Sequence, residues 1–503
     1  MQSTKVKKKS SFTPIEKKWI MYDVGNSAFT LLCSTLIPIM AQNLFNAAHM
    51  GDQYYTIWSI ITSIITLAVA VISPIVGTFA DSEGMKKPLF LGSALIGIVG
   101  CVLLGMPLPI AAFVAVYIIT RMSYNVSLVF YDSMLTDVTE MERVDKISSN
   151  GYAWGYIGSC IPFIISIGLF MLSSFHLLNT TAAYIMIFAI NAVWWLCFTL
   201  PLTKSFKQIH FVKRQPHAIK NSFKRLFSVF KEKIPNKKGI LIFLIAFFLY
   251  IDGVYTIIDL ATSYGETIFG SAGMDDTMVE VQLVLALLLT QIIAFPCAII
   301  SGMLAKKYDN GKLIMVFIAG YLGIAIFAIW LSQIWQFWLL AVCVGLFQGG
   351  VQALSRSYFA KIIPVDKSGE FFGIMDIFGK GASFIGTLLV GIVSAFTTNK
   401  NLSVIPISCL IGVGLIVFII AYIQIKNYEK ANGSTAMMTD DRRLRPSTSP
   451  DDRRHRRKER INKAIIKKDV GGRLNDQPGV FKARTEFVFF FTVAKQEKTP
   501  NIK

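Results

Sequence analysis

Residues 19–30 read Trp-Ile-Met-Tyr-Asp-Val-Gly-Asn-Ser-Ala-Phe-Thr and open the first long apolar segment of the chain, yet they carry an aspartate, an asparagine and a serine. At helical pitch Asp23, Asn26 and Thr30 fall on one face, with Ser27 and Ser34 beside them. A polar face on an apolar helix is not one to turn toward lipid. It predicts a compartment, and the apolar segments that follow read as its walls.

The composition agrees. Of 503 residues, 53% are hydrophobic, 13% aromatic and only 16% charged, which places the chain in the membrane class. Segments of about 20 apolar residues, enough to cross about 30 Å of hydrocarbon as helix, recur along it. Twelve spans are expected, at 20–44, 54–77, 89–108, 110–133, 150–173, 181–202, 239–263, 279–303, 313–332, 337–360, 371–396 and 403–425. The fold class is therefore an all-α membrane protein of twelve transmembrane helices. An even number puts both termini on one side, and the basic residues choose that side. Lys86 and Lys87, Arg143 and Lys146, the stretch from Lys204 to Lys238, Lys306, Lys307 and Lys312, then Lys361 and Lys367 fall in alternate connections, while the others hold no Lys or Arg except Lys400. By the positive-inside rule these loops and both termini are cytoplasmic.

The net charge of +19 thus needs no nucleic-acid partner. Part of it is topology, and much of the rest sits in a polar tail. The seven cysteines stand singly in apolar segments, a pattern of neither a disulfide framework nor a metal site. The basic N-terminus leads into a segment too long for a signal peptide's core, so it reads as a retained anchor.

An internal repeat is visible. Gly77-Thr-Phe-Ala-Asp81-Ser-Glu-Gly84-Met-Lys86-Lys87 closes the second span and Gly302-Met-Leu-Ala305-Lys306-Lys307-Tyr-Asp309-Asn-Gly311-Lys312 the eighth, an offset of 225. Tyr22-Asp23 and Tyr250-Ile-Asp252 correspond at 229 between the aspartates, and an offset of 224 lays Asp132-Ser133 on Arg356-Ser357. The expected organisation is an N-terminus of 1–19, a six-helix half over 20–202, a basic linker over 203–238, a second half over 239–426 and a polar, disordered tail over 427–503. A short amphipathic helix is expected near Phe223–Phe230 within an otherwise solvated linker.

Gly77-x-x-x-Asp81-x-x-Gly84-x-Lys86-Lys87 after the second of twelve spans resembles the loop motif of the major facilitator superfamily. Tyr22-Asp23 with Asn26-Ser-Ala-Phe29, Ser149-Asn-Gly151-Tyr-Ala-Trp-Gly155, Tyr250-Ile-Asp252-Gly253, and Gly349-Gly-Val-Gln352-Ala-Leu-Ser355-Arg356-Ser357-Tyr-Phe-Ala-Lys361 narrow the likeness. They resemble the "unknown major facilitator" branch, which includes the vacuolar amino-acid effluxers of fungal autophagy. The likeness covers about residues 17–426. Val24-Gly25 stand where that branch commonly has Trp-Ala, and the tail has no counterpart.

Ionisable side chains deep in the membrane are costly and so mark candidate chemistry. Asp252, Tyr255, Asp259, Thr262 and Glu266 form a stripe on the seventh span at helical spacing. Asp252 either binds a cation, a solute amino group or a proton, or pairs with Lys380 or Arg121 to lock helices. Arg121 and Asn125 share a face of the fourth span; the arginine either takes an anionic end of the solute or bridges to Asp132 or another helix. Lys380 aligns with Asp376, with which it can pair, and with Ser383 and Thr387. Gln348, Gln352 and Ser355 share a face of the tenth span, and Trp154, Tyr124 and Tyr255 offer rings for stacking. Asp23 reads as a gate residue about one turn inside the membrane, with Asn26 and Thr30 nearer the solute.

The superfamily resemblance implies that Asp81 meets the start of the eleventh helix, Ser368 to Phe372, when the cytoplasmic side is shut. A carboxylate suits a positive helix end, with Gly77 allowing close approach and Gly84 a tight turn. Lys86 and Arg356 join this gating set. Lys306 occupies the equivalent place in the second half, so the gate should be asymmetric.

These readings predict a secondary transporter working by alternating access. The resemblance implies efflux of a small, amino-acid-like solute with a proton as the coupling ion. The alternative is a receptor or scaffold that retains the fold. The spans show no nucleophile, histidine pair or nucleotide loop, so no enzyme and no cofactor beyond that proton is expected. The expected partners are a small solute and the lipid bilayer, the expected state a monomer, and the expected site a prokaryotic plasma membrane or, in a eukaryote, the vacuolar membrane.

Overall fold

The computed structural model describes residues 11–213, 234–271, 273–274, 276–396, 402 and 404–432, almost entirely as helix. The first crossing is Pro14–Ala47; Tyr54–Ala80, Lys86–Leu104, Ile110–Val138, Val144–Ser174 and Thr180–Ser205 complete one half. Lys237–Ser271, Asp276–Leu304, Asn310–Ala328, Ile334–Ile362, Ser368–Phe396 and Ile405–Asn432 make the second. Among the described residues eleven helices are long and apolar enough to cross a membrane. The remaining one, Ser368–Phe396, is a 29-residue helix that carries Glu370, Asp376 and Lys380.

Two boundaries move outward for identifiable reasons. Thr13 accepts from the Glu16 amide at 3.3 Å while Glu16 accepts from the Thr13 amide at 2.7 Å, a capping box that starts the first helix at Pro14. The twelfth helix runs on to Asn432, past the tail boundary expected at 427, with Lys426 3.1 Å from Asp309 and 2.9 Å from Glu429. The rest of the expected tail lies outside the described residues.

The first span is broken. Pro38 has no amide hydrogen and crowds the carbonyl four residues back, so the helix stops at Ser34 and restarts at Leu36. Thr35, at φ −130° and ψ −82°, donates from Oγ1 to the Leu31 carbonyl at 2.6 Å, and Ser34 Oγ serves the Thr30 and Leu31 carbonyls. Side chains thus take over hydrogen bonding that the backbone gives up.

The duplication has a structural signature. Tyr22 Oη and Ser127 Oγ lie 3.1 Å apart between the first and fourth spans, and Tyr250 Oη and Ser355 Oγ 2.7 Å apart between the seventh and tenth. Both pairs are separated by 105 residues, so one buried bond is built twice at an offset of 228. Asp132 and Arg356, matched at 224 in the sequence, are therefore four residues, about one helical turn, out of this register.

The linker does not begin as a solvated one. Val212 donates to the Asp81 carbonyl at 2.8 Å and accepts from the Glu83 amide at 3.2 Å, while Gln208 Nε2 donates to the Ala80 carbonyl at 2.9 Å. Phe206 is buried. Residues 206–213 thus strap the turn that follows the second span; the expected Phe223–Phe230 helix lies outside the described residues.

Candidate functional site

The two halves are joined by polar bonds near the face at which the first span begins and the twelfth ends. Arg356, four-hundredths exposed, is the hub. Its Nη1 donates to Asp132 Oδ1 at 2.9 Å, its Nε to Ser148 Oγ at 2.9 Å and its Nη2 to the Ser148 carbonyl at 3.0 Å, with Asp23 Oδ2 3.5 Å from Nη2. The guanidinium carbon lies 4.2 Å from the centre of the Tyr152 ring and 4.8 Å from the Trp19 ring. A planar fork that also stacks is the particular capability of arginine. Asp23 is held in turn by Tyr131, whose hydroxyl donates to Oδ2 at 2.7 Å, and by Asn26 at 3.3 Å. Asn26 is thus part of this cluster, whereas Thr30, a turn further on, is exposed.

A latch lies alongside. Asp81 Oδ1 accepts from the Gly369 amide and Oδ2 from the Glu370 amide, both at 2.7 Å, so the carboxylate caps the eleventh helix across the halves. A Cβ on Gly77 would collide with the Gly369 carbonyl, and Gly84 sits at φ +74°, so the turn and the approach each need glycine. Burial pushes the Asp81 carboxyl up to about 7, against the opposing pull of Lys86 and the two amides. Lys86, fully buried, donates to Asp137 at 2.9 Å, Ser368 Oγ at 3.0 Å and the Ser133 carbonyl at 3.3 Å. Lys306 is exposed, so the second half builds no copy of this latch there. It offers instead Lys361 and Asn310, both bonded to Asp145.

Deeper in the membrane the candidates separate. Asp252 is fully buried within the second half: Oδ1 accepts from the Gly386 amide at 2.9 Å and from Thr256 at 3.3 Å, and Oδ2 has no partner. It does not pair with Arg121. Nor does Arg121 bridge to Asp132, which Arg356 takes; its Nη1 is buried without a partner, and its guanidinium carbon lies 5.6 Å from the Tyr124 ring. Asn125 is buried beside it. Gln352 accepts from the Tyr156 hydroxyl at 2.7 Å across the halves, Gln348 is buried, and Tyr255 is half-buried. Asp376 accepts from Ser73 at 2.6 Å. The side chains of Lys380, Ser383, Thr387, Asp259, Thr262 and Glu266 lie outside the described residues.

A family model described as "Vacuole effluxer Atg22 like" matches residues 50–431. The chain belongs to the Atg22-like family. An MFS-type transporter of Bacillus subtilis (strain 168), YxiO, is 36% identical over 414 residues, 81% of this chain and 94% of its own. Autophagy-related protein 22 of Yarrowia lipolytica is 28% identical over 280 residues, half of this chain and 46% of its own. Among solved structures, the outward conformation of the major facilitator FucP (TM-score 0.61, 12% identity) and an outward-facing bacterial homologue of the iron transporter ferroportin (TM-score 0.59, 14% identity) share the fold. Each covers 81% of this chain, and this chain covers 98% of each. The chain is a multi-pass membrane protein with the fold of the major facilitator transporters.

In this Atg22-like chain the sequence pointed to Asp23, Asp81, Lys86 and Arg356 but missed Asp132 and Ser148 as partners of Arg356, Asp137 as the partner of Lys86 and Asp145 as the partner of Lys361. One signal was available: each of the three acids lies within a few residues of the end of a span, on the side where Arg356 and Lys361 also lie.

Proposed function

We propose that this Atg22-like chain effluxes a small, amino-acid-like solute by alternating access, with a proton as the coupling ion and both termini in the cytoplasm. The observation that carries the reading is one-sided closure. Asp132–Arg356, Asp81–Gly369, Lys86–Ser368 and Asp145–Lys361 seal the halves at the face of the termini. Thr30 and Ser34, polar and further along the first span, stay exposed. A seal made of separable ion pairs and helix caps can break and reform, which a permanently fused scaffold would not need.

The parts then have roles. Asp23, Asp81, Lys86 and Arg356 form the cytoplasmic gate; Asp252 is the coupling carboxyl, whose partnerless Oδ2 takes the proton; Gln348, Gln352, Tyr255, Asn125 and Lys380 complete the solute path. The family description of a vacuole effluxer supports efflux, the resemblance drawn from the sequence motifs supports the solute class, and the Bacillus relative supports a bacterial plasma membrane. The test is reconstitution of the full chain in liposomes under an imposed pH gradient with a panel of labelled amino acids. Saturable, gradient-dependent flux is expected, and intact protein that moves no solute ends the reading.

A further inference from the structure

Arg121 is the one deep cation described here whose geometry is unfinished. Lys86, Arg143, Arg356, Lys361 and Lys426 each meet a carboxylate. Arg121 lies beside the Tyr124 ring and within electrostatic reach of the Cys33 thiol and the Tyr117 hydroxyl, none of them a carboxylate. Its Nη1 is buried and donates to nothing. Removing a guanidinium from water without a counter-charge is costly, and a fold tolerates it where a ligand supplies the missing charge.

Position supports a ligand rather than a helix lock. Arg121 precedes the end of its helix, Ser133, by 12 residues, about 18 Å along the axis, well clear of the Arg356 seal. It is half-buried, not sealed. Tyr124, one turn on, lies with its hydroxyl 2.5 Å from Thr30 Oγ1, so the arginine adjoins the exposed polar strip of Thr30 and Ser34. The wall beyond is aromatic: Tyr117, stacked at 4.7 Å on Trp58. A planar fork beside an aromatic wall fits a carboxylate carried on an apolar body.

We propose that Arg121 is the carboxylate-binding group of the solute site, and that the solute class is monocarboxylates with an apolar body. Asp252, wholly buried between the seventh and eleventh spans, is not the group that meets the solute. This inference rests on the reading of the chain as a solute transporter.

The experiment measures binding to the full chain in detergent by calorimetry, with four probes that share one isobutyl body: leucine, isocaproate, leucinamide and isoamylamine. Leucine and isocaproate should bind, and the two probes without a carboxylate should bind at least about 10-fold more weakly. Arg121→Gln should weaken both carboxylates by a similar factor, and Arg121→Lys, which keeps the charge but loses the fork, by less. If Arg121→Gln does not fold, Arg121→Lys decides: affinity equal to that of the unaltered chain overturns the proposal. Leucinamide binding as tightly as leucine, or neither carboxylate binding, also overturns it. Flux of a solute without a carboxylate would sink this inference and leave the transporter intact, whereas absence of any flux would sink the transporter itself.

Discussion

Arg356 Nη1 and Asp132 Oδ1 lie 2.9 Å apart, joining the tenth span to the fourth across the two halves. Both residues sit near the ends of duplicated helices, one turn out of repeat register, so the duplication supplies opposite charges to one seam. Arg356→Ala would leave Asp132 and Asp23 there without their cation, at a cost of about 3–5 kcal/mol to the closed face. Spin-label distances across the terminal ends of the fourth and tenth spans should lengthen. Distances that stay at their original values would show that the seam does not depend on this pair.

Asp81 makes the closed face sensitive to pH. Its carboxyl stands at about 7 when buried in the latch, and an exposed aspartate titrates near 4, roughly 3 units lower. The buried state therefore binds the proton more tightly, and by linkage its stability relative to an open face grows as pH falls from about 7 toward 4. The closed population should rise between pH 8 and pH 5. Asp81→Asn should remove that part of the pH dependence; a variant with the same pH profile as the unaltered chain would place the titrating group elsewhere.

How much of this was legible in sequence follows from the range of each constraint. A bilayer demands about 20 apolar residues per crossing, so the spans and the two halves can be read directly, and even the break before Pro38 has a local cause. The Asp81 latch was legible through resemblance, because its aspartate and glycines lie within eight residues. The Arg356 cluster was not, since Asp132 and Ser148 reach it from more than 200 residues away and no local pattern encodes such a meeting. Arg121 and Asp252 were each left between a salt bridge and a ligand. Only the placement of Asp132 against Arg356, with Arg121 Nη1 and Asp252 Oδ2 left unpartnered, removes the Arg121–Asp132 and Arg121–Asp252 pairings, while the side chain of Lys380 lies outside the described residues.

Asp252→Asn tests the coupling role. Asparagine can still accept from the Gly386 amide and Thr256 but cannot carry the proton. Flux driven by a pH gradient should fall at least about 100-fold, the usual scale for loss of a positioned proton carrier. Exchange of labelled for unlabelled solute at equal pH should persist. Gradient-driven flux at the original rate would move the coupling proton off this residue.

Gly77→Val tests the gate by sterics alone, with no charge altered. An added Cβ at Gly77 falls inside the Gly369 carbonyl, and both contacts are backbone, which cannot swing aside as a side chain would. The second and eleventh helices could then approach only by parting, and parting pulls the Gly369 and Glu370 amides off Asp81. Overpacking of this kind costs about 1–3 kcal/mol, and the lost caps add about 1 kcal/mol each. The burden falls only on the closed face, so the chain should still fold, with its terminal face open. A cysteine placed at Ser73, buried against Asp376 when the face is shut, should become reactive to a water-soluble maleimide in this variant and stay protected without it. Transport should be lost while solute binding remains, because alternation needs both faces to close. Protection of that cysteine in a folded Gly77→Val chain would mean that the two helices do not seal this face.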